Sequence, residues 1–67
     1  MSEIMTYVVP GLSDTGCEEA VTEELRAVDG VTSVAVDLES KRVVVRGEGL
    51  DDLALRDAIE EAGYEPV

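Results

Sequence analysis

Ser33-Val34-Ala35-Val36-Asp37-Leu38, then Glu39-Ser40-Lys41, then Arg42-Val43-Val44-Val45-Arg46 is the stretch that decides how this chain folds. Val34, Val36 and Leu38 alternate with Ser33, Ala35 and Asp37, and Val43 and Val45 alternate with Arg42, Val44 and Arg46. A period of two in β-branched residues marks strands buried on one face, and the short polar turn between them predicts an antiparallel hairpin. Arg42 and Arg46 are expected on the outer face, near Asp37 on the partner strand. Such exposed cross-strand pairs contribute about 0.2–1 kcal/mol each.

On both sides of the hairpin the period changes from 2 to that of a helix. Upstream, Ala20, Val21, Leu25 and Val28 recur at helical spacing over residues 15–28, with Glu18, Glu19, Glu23 and Glu24 opposite. Thr15 followed by Glu18 reads as a capping box, and Asp29-Gly30 closes the helix through a left-handed glycine. Downstream, Leu55, Ala58, Ile59 and Ala62 predict a second helix from residue 51 or 52 to 62, ended by Gly63. Beyond the helices lie a β-rich run at 4–9, stopped by Pro10-Gly11, and a segment at 64–67 that can add a short last strand. Gly47-Glu48-Gly49 reads as a loop; it lacks the third glycine and the crossover context of a phosphate cradle. The order strand, helix, strand, strand, helix, strand predicts an α+β, ferredoxin-like βαββαβ sandwich. In it two helices cover one face of a four-stranded antiparallel sheet.

Sixty-seven residues make one domain, expected to span 1–67, near the lower limit for folding without staples. One Cys excludes an internal disulfide, and with no His and no cysteine cluster there is no zinc staple either. The core must therefore be aliphatic, since the chain has two Tyr, no Phe and no Trp. Sixteen acidic against five basic residues give a net charge of −11. That charge repels nucleic acid and anionic membranes and leaves cations and basic protein surfaces as counterparts. The acidity, with Lys41 the single lysine, also suits a proteome adapted to high salt. No apolar run approaches the roughly 18 residues of a membrane span. Met1-Ser2-Glu3-Ile4 lacks the regions of a signal peptide, so a soluble cytoplasmic protein is expected.

The chemistry is concentrated in Gly11-Leu12-Ser13-Asp14-Thr15-Gly16-Cys17, which runs from the first strand into the first helix. Cys17 falls in the first helical turn, where unpaired N–H groups and the helix dipole favour a thiolate. The carboxylates of Asp14, Glu18 and Glu19 oppose that ionisation. The alternative is a small thiol packed under the loop.

With these residues in view, the chain resembles the heavy-metal-associated domain family of bacterial copper chaperones and N-terminal modules of metal-transporting P-type ATPases. That family carries Gly-Met-Thr-Cys-x-x-Cys between first strand and first helix, where this chain reads Gly-Leu-Ser-Asp-Thr-Gly-Cys without a gap. The likeness runs from Tyr7 and Val9 through Ala20-Val21, Leu25, Asp29-Gly30-Val31 and the hairpin to Ala58-Ile59-Glu60-Glu61-Ala62-Gly63-Tyr64. It implies metal binding by Cys17, the counterpart of the second family cysteine, with Asp14 at the place of the first. Ser13 and Tyr64 are implied as supporting residues, and Leu12 as the apolar plug under the loop. Two soft thiolates suit Cu(I) in the family, whereas one carboxylate and one thiolate suit Zn(II) or Cd(II) better.

The implied function is binding and delivery of a soft or borderline metal ion, Cu(I) or Zn(II)/Cd(II), to a metal-transporting P-type ATPase or another metal-handling protein. The protein would act as a monomer, or as a dimer bridged at Cys17. The alternative is a domain that no longer binds metal and serves as an acidic protein-interaction module. An enzyme is not expected: there is no His, no nucleophile–base pair and no cofactor fingerprint. The acidic pairs Glu18-Glu19, Glu23-Glu24, Asp51-Asp52 and Glu60-Glu61 read as solvated helix faces and caps.

Overall fold

The computed structural model describes residues 2–13 and 15–67. Three strands and two helices follow in the order β1 (Glu3–Val8), α1 (Thr15–Arg26), β2 (Val31–Asp37), β3 (Arg42–Gly47) and α2 (Asp52–Glu61). The hairpin forms as its alternation predicts, with Asp37 opposite Arg42, Val36 opposite Val43 and Val34 opposite Val45. β3 also pairs antiparallel with β1, so the strand order is β1-β3-β2. β1 and β2 thus run parallel with β3 between them, the split βαβ arrangement. Thr32 has no opposite number on β3: the register shifts between Val31 and Ser33, a bulge that the alternation did not reveal.

Local polar groups set the turns. Asp37 accepts hydrogen bonds from the N–H groups of Glu39 (2.9 Å) and Ser40 (3.3 Å), and Lys41 takes a positive φ of 62° to finish the turn. Those two backbone bonds, led by that from Ser40 and helped by Arg42, hold the Asp37 carboxyl below its usual range. Asp51 caps α2, its side chain accepting from Leu53 N–H at 3.0 Å. α2 ends in a Schellman motif: Tyr64 N–H reaches Ile59 C=O at 3.2 Å and Gly63 N–H reaches Glu60 C=O at 2.9 Å. Gly63 supplies the left-handed residue, at φ 96°.

Both helices pack on one face of the sheet. Val21 and Leu25 of α1 and Leu55 and Ile59 of α2 have no exposed surface, and they meet Tyr7, Val43 and Val45 from the strands and Leu12 from the first loop. Each aliphatic side chain so buried contributes about 1.5–3 kcal/mol. Tyr7, 4% exposed, donates from its hydroxyl to Asp52 Oδ1 at 2.6 Å. Asp52 Oδ2 lies 3.2 Å from Arg56 Nε, and the Arg56 guanidinium stands 6.0 Å from the centre of the Tyr7 ring. This network ties β1 to the first turn of α2.

The expected fourth strand does not form: the sheet has three strands among the described residues. Residues 64–67 still run beside β1, where Val67 N–H donates to Val8 C=O at 2.8 Å. One such bond is short of the repeated pairs that make a strand ladder. Boundaries also move. β2 runs from Val31 to Asp37 rather than from Ser33 to Leu38, and α1 opens at Thr15 rather than being capped by it. It ends at Arg26 rather than 28, because Ala27 and Val28 N–H turn to Glu24 and Leu25 C=O in tighter i→i−3 bonds. Val9 lies past the end of β1, although its N–H is held by Lys41 C=O at 2.8 Å.

Two predictions follow from this packing. A Cβ on Gly47 would lie 2.0 Å from Gly30 C=O, so Gly47→Ala must pry two backbones apart. A loss of about 3 kcal/mol, the upper end of overpacking costs, is expected in urea unfolding. The second concerns pH. The Tyr7 hydroxyl, with help from Arg56, holds the Asp52 carboxyl below its ordinary 3.8, while burial and then Asp52 push the Tyr7 phenol above its ordinary 10.0. Asp52 therefore contributes stability that is present above 3.8 and lost as pH falls through its depressed value. Tyr7 contributes stability that is present below 10.0 and lost as pH rises beyond it. In Tyr7→Phe, melting temperature followed against pH should show a shallower acid limb, with the Asp37 part retained, and a flattened alkaline limb.

Candidate metal centre

The loop from β1 to α1 is held by an apolar anchor. After Pro10-Gly11 leaves the sheet, Leu12 turns inward and is fully buried, and its N–H closes a tight turn on Val9 C=O at 3.1 Å. Val9, also fully buried, fixes the other end of that turn. Ser13 is exposed beyond it, and α1 starts at Thr15. An aliphatic side chain at position 12 therefore determines where Ser13 and the first turn of α1 sit.

Cys17 is the third residue of α1, half-buried, with its side chain packed against the aliphatic core. Its Sγ lies 3.9 Å from Ser13 Oγ, a distance at which either group can donate. A hydroxyl that donates to sulfur stabilises a thiolate, as do the N–H groups of the first helical turn, which have no intrahelical acceptor. Glu18 and Glu19 follow directly and make this end of the helix acidic, which favours a cation and disfavours a bare thiolate. The expected pairing of Cys17 with Asp14 lies outside the described residues. Among the described residues no group of three or more His, Cys, Asp and Glu side chains converges on one point.

Tyr64 comes from the far end of the chain. The Schellman turn after α2 aims it at the loop, and a Cβ on Gly11 would stand 3.2 Å from its ring carbon Cδ1. Gly11 thus admits the ring where any other residue would push it away. A shallow cleft of about 350 Å³ lined by Pro10, Gly11, Gly63, Tyr64, Glu65 and Val67 opens beside this contact. A larger hollow on the exposed face of α1, lined by Thr15, Glu18, Glu19, Thr22, Glu23 and Arg26, holds no thiol and is the solvated acidic face of that helix. Of the residues singled out from sequence, Ser13 and Cys17 come together, while Tyr64 packs on the start of the same loop. The family resemblance implies Tyr64 as a supporting residue of this loop; that its ring meets Gly11, 53 residues away, is a contact no local pattern shows.

The heavy-metal-associated domain profile matches residues 6–65, nearly the whole chain. A copper chaperone CopZ of Staphylococcus aureus is 39% identical over 61 residues, covering 88% of this chain and 90% of that protein. Copper-transporting ATPase 2 of Rhizobium meliloti shows the same identity across 90% of this chain, but the chain spans only 7% of that ATPase. Among solved structures, a CopZ metallochaperone superposes with a TM-score of 0.92 at 36% identity, covering 97% of this chain and all of the other. An oxidized MerP from Ralstonia metallidurans CH34 covers all of this chain and 96% of its own, with a TM-score of 0.89 at 28% identity. These neighbours share the two-helix, one-sheet fold that carries the Ser13–Cys17 loop. The chain belongs to the heavy-metal-associated domain family, as a member similar to the copper chaperones.

Proposed function

We propose that this protein binds a soft or borderline metal ion at Cys17 and hands it to a metal-handling partner. The observation that carries the reading is the Cys17 sulfur at the first turn of α1, with a hydroxyl 3.9 Å away, on a loop pinned by Leu12. The ion is cargo, so an incomplete and accessible shell suits the task. One thiolate from this chain leaves room for a donor from the receiving protein, and transfer then proceeds by ligand exchange through a shared intermediate.

The donor set bears on the metal. Cu(I) is satisfied by two soft thiolates, and Cys17 supplies one. In this reading the second comes from a partner protein or from Cys17 of another copy, which makes a dimer bridged by the metal. Asp14, at the place of the first family cysteine, offers a hard oxygen instead, and Asp14 with Cys17 would hold Zn(II) or Cd(II) with water or a partner group completing the shell. Ser13 supports the sulfur and Tyr64 shapes the loop from the side of Gly11. The receiver would be a metal-transporting P-type ATPase or another metal-handling protein in the cytoplasm. The role is that of a carrier, not a catalyst.

The test is competition of the purified protein with chromophoric chelators for Cu(I) and for Zn(II). Micromolar or tighter binding, abolished in Cys17→Ser, is expected; binding that survives that change would overturn the assignment to Cys17. Ser13→Ala should weaken binding by about tenfold, as losses of outer hydrogen-bond partners do. Replacing the carboxylate by a thiol in Asp14→Cys should tighten Cu(I) binding and change its stoichiometry from one metal per two chains to one per chain. If neither metal binds, the acidic interaction module is the reading that remains.

A further inference from the structure

The sheet face turned away from the helices is uncovered, and its composition differs from the rest of the molecule. The register sets Ile4, Arg46 and Ser33 in one row, Thr6, Val44 and Ala35 in the next, and Val8, Arg42 and Asp37 in the third. Their neighbours along the strands, Met5, Tyr7, Val34, Val36, Val43 and Val45, point into or against the core. Ile4 is 59% and Val8 38% exposed. Val44, on the central strand, is diagonal to both, within the reach of side chains across a sheet.

The charge of this face is reversed. It carries two of the five basic residues and one of the sixteen acidic ones, so it is net +1 on a chain of net −11. The one acid, Asp37, already accepts the N–H groups of Glu39 and Ser40. Arg46 forms no ion pair among the described residues.

We propose that this face docks an acidic amphipathic helix of a partner protein. An antiparallel sheet can leave one face in water. A face that carries apolar side chains can also accept a helix as a further layer, and guanidinium groups pair well with carboxylates. Arg42 and Arg46 are four residues apart on one strand, about 13 Å. A helix repeats its face at i and i+7, about 10.5 Å apart, so two carboxylates at that spacing meet both arginines while apolar residues between them cover Ile4, Val8 and Val44. A second copy of this chain fits poorly. Face to face it sets arginine against arginine, and the exposed surface of its α1 offers Glu18, Glu19 and Glu23 with no apolar residue among them. Its α2 exposes one large apolar side chain, Leu53, which is too little to cover Ile4, Val8 and Val44 together. The site is remote in kind from the Cys17 loop and does not depend on metal binding.

The test uses the isotope-labelled full chain and a synthetic helical peptide with leucines along one face flanked by glutamates at i and i+7. A peptide with lysines in place of those glutamates is the control. Amide shifts at Ile4, Val8, Arg42, Val44 and Arg46 are expected, saturating with the acidic peptide, weakening with salt and at least tenfold weaker in Arg42→Ala/Arg46→Ala. Ile4→Ser, at the other end of the patch, should weaken binding without changing its salt dependence. Shifts confined to α1 or the Cys17 loop, equal binding of the lysine peptide, or no shifts at all would overturn the proposal. Self-association that the double substitution abolishes would assign the face to a second copy and overturn it too.

Discussion

The aliphatic seam between the two helices and the inner face of the sheet is what the rest of this protein depends on. Leu12, Val21, Leu25, Leu55 and Ile59 close against Val43 and Val45 with no exposed surface, and Tyr7, 4% exposed, joins them as a buried aromatic ring. With no disulfide available, this burial has to offset the chain entropy of a 67-residue domain. The seam also explains the spacing of the glycines that matter. Gly30 and Gly47 let the turn leading into β2 and the end of β3 approach backbone to backbone, with Glu48 N–H bonding Gly30 C=O at 2.9 Å.

The loop between β1 and α1 is a dependent of that seam. Leu12 is both a core residue and the third residue before the helix start, so the packing that stabilises the fold also sets where the Cys17 sulfur faces solvent. Tyr64, carried by the cap of α2, leans on the same loop at Gly11. Fold and loop are therefore coupled through hydrophobic contacts, whereas the polar atoms of the loop, Ser13 Oγ and Cys17 Sγ, are only positioned by the core. That separation lets a chain keep the two-helix, one-sheet fold of the family while its sequence has a carboxylate residue where the family pattern has a thiol.

Charge is distributed with the layers. Carboxylates fill the outer faces of α1 and α2, where they suit the helix starts and solvent, while Arg42 and Arg46 stand on the open side of β3. A helix face has many solvated positions per turn, and a strand exposes every second residue, so the alternation that buries Val43 and Val45 necessarily exposes the two arginines. The molecule is consequently acidic on its helical side and weakly basic on its sheet side.

Most of the architecture was legible in the chain itself. The alternating valines fixed the register of the hairpin, since a one-residue slip would turn every buried side chain outward. The helical stripes at Val21/Leu25 and Leu55/Ala58/Ile59, with Asp51 and Gly63 at the ends of α2, located the helices, and local chemistry of that kind needs no tertiary knowledge. The match of Gly11 to Cys17 with a family pattern identified the loop. What the sequence could not decide were contacts between distant positions and outcomes balanced by a single bond. The Tyr7–Asp52–Arg56 network joins segments that no local pattern relates, and the contact of the Tyr64 ring with Gly11 is one that only the family resemblance pointed towards. The last strand failed because, among the described residues, the bond from Val67 N–H to Val8 C=O does not extend into a ladder. Sequence alone determined which faces are apolar and where turns fall, because those follow from periodicity and backbone preference. Tertiary structure alone decided which side chains meet across them, because that depends on how the closed core brings remote residues within bonding distance.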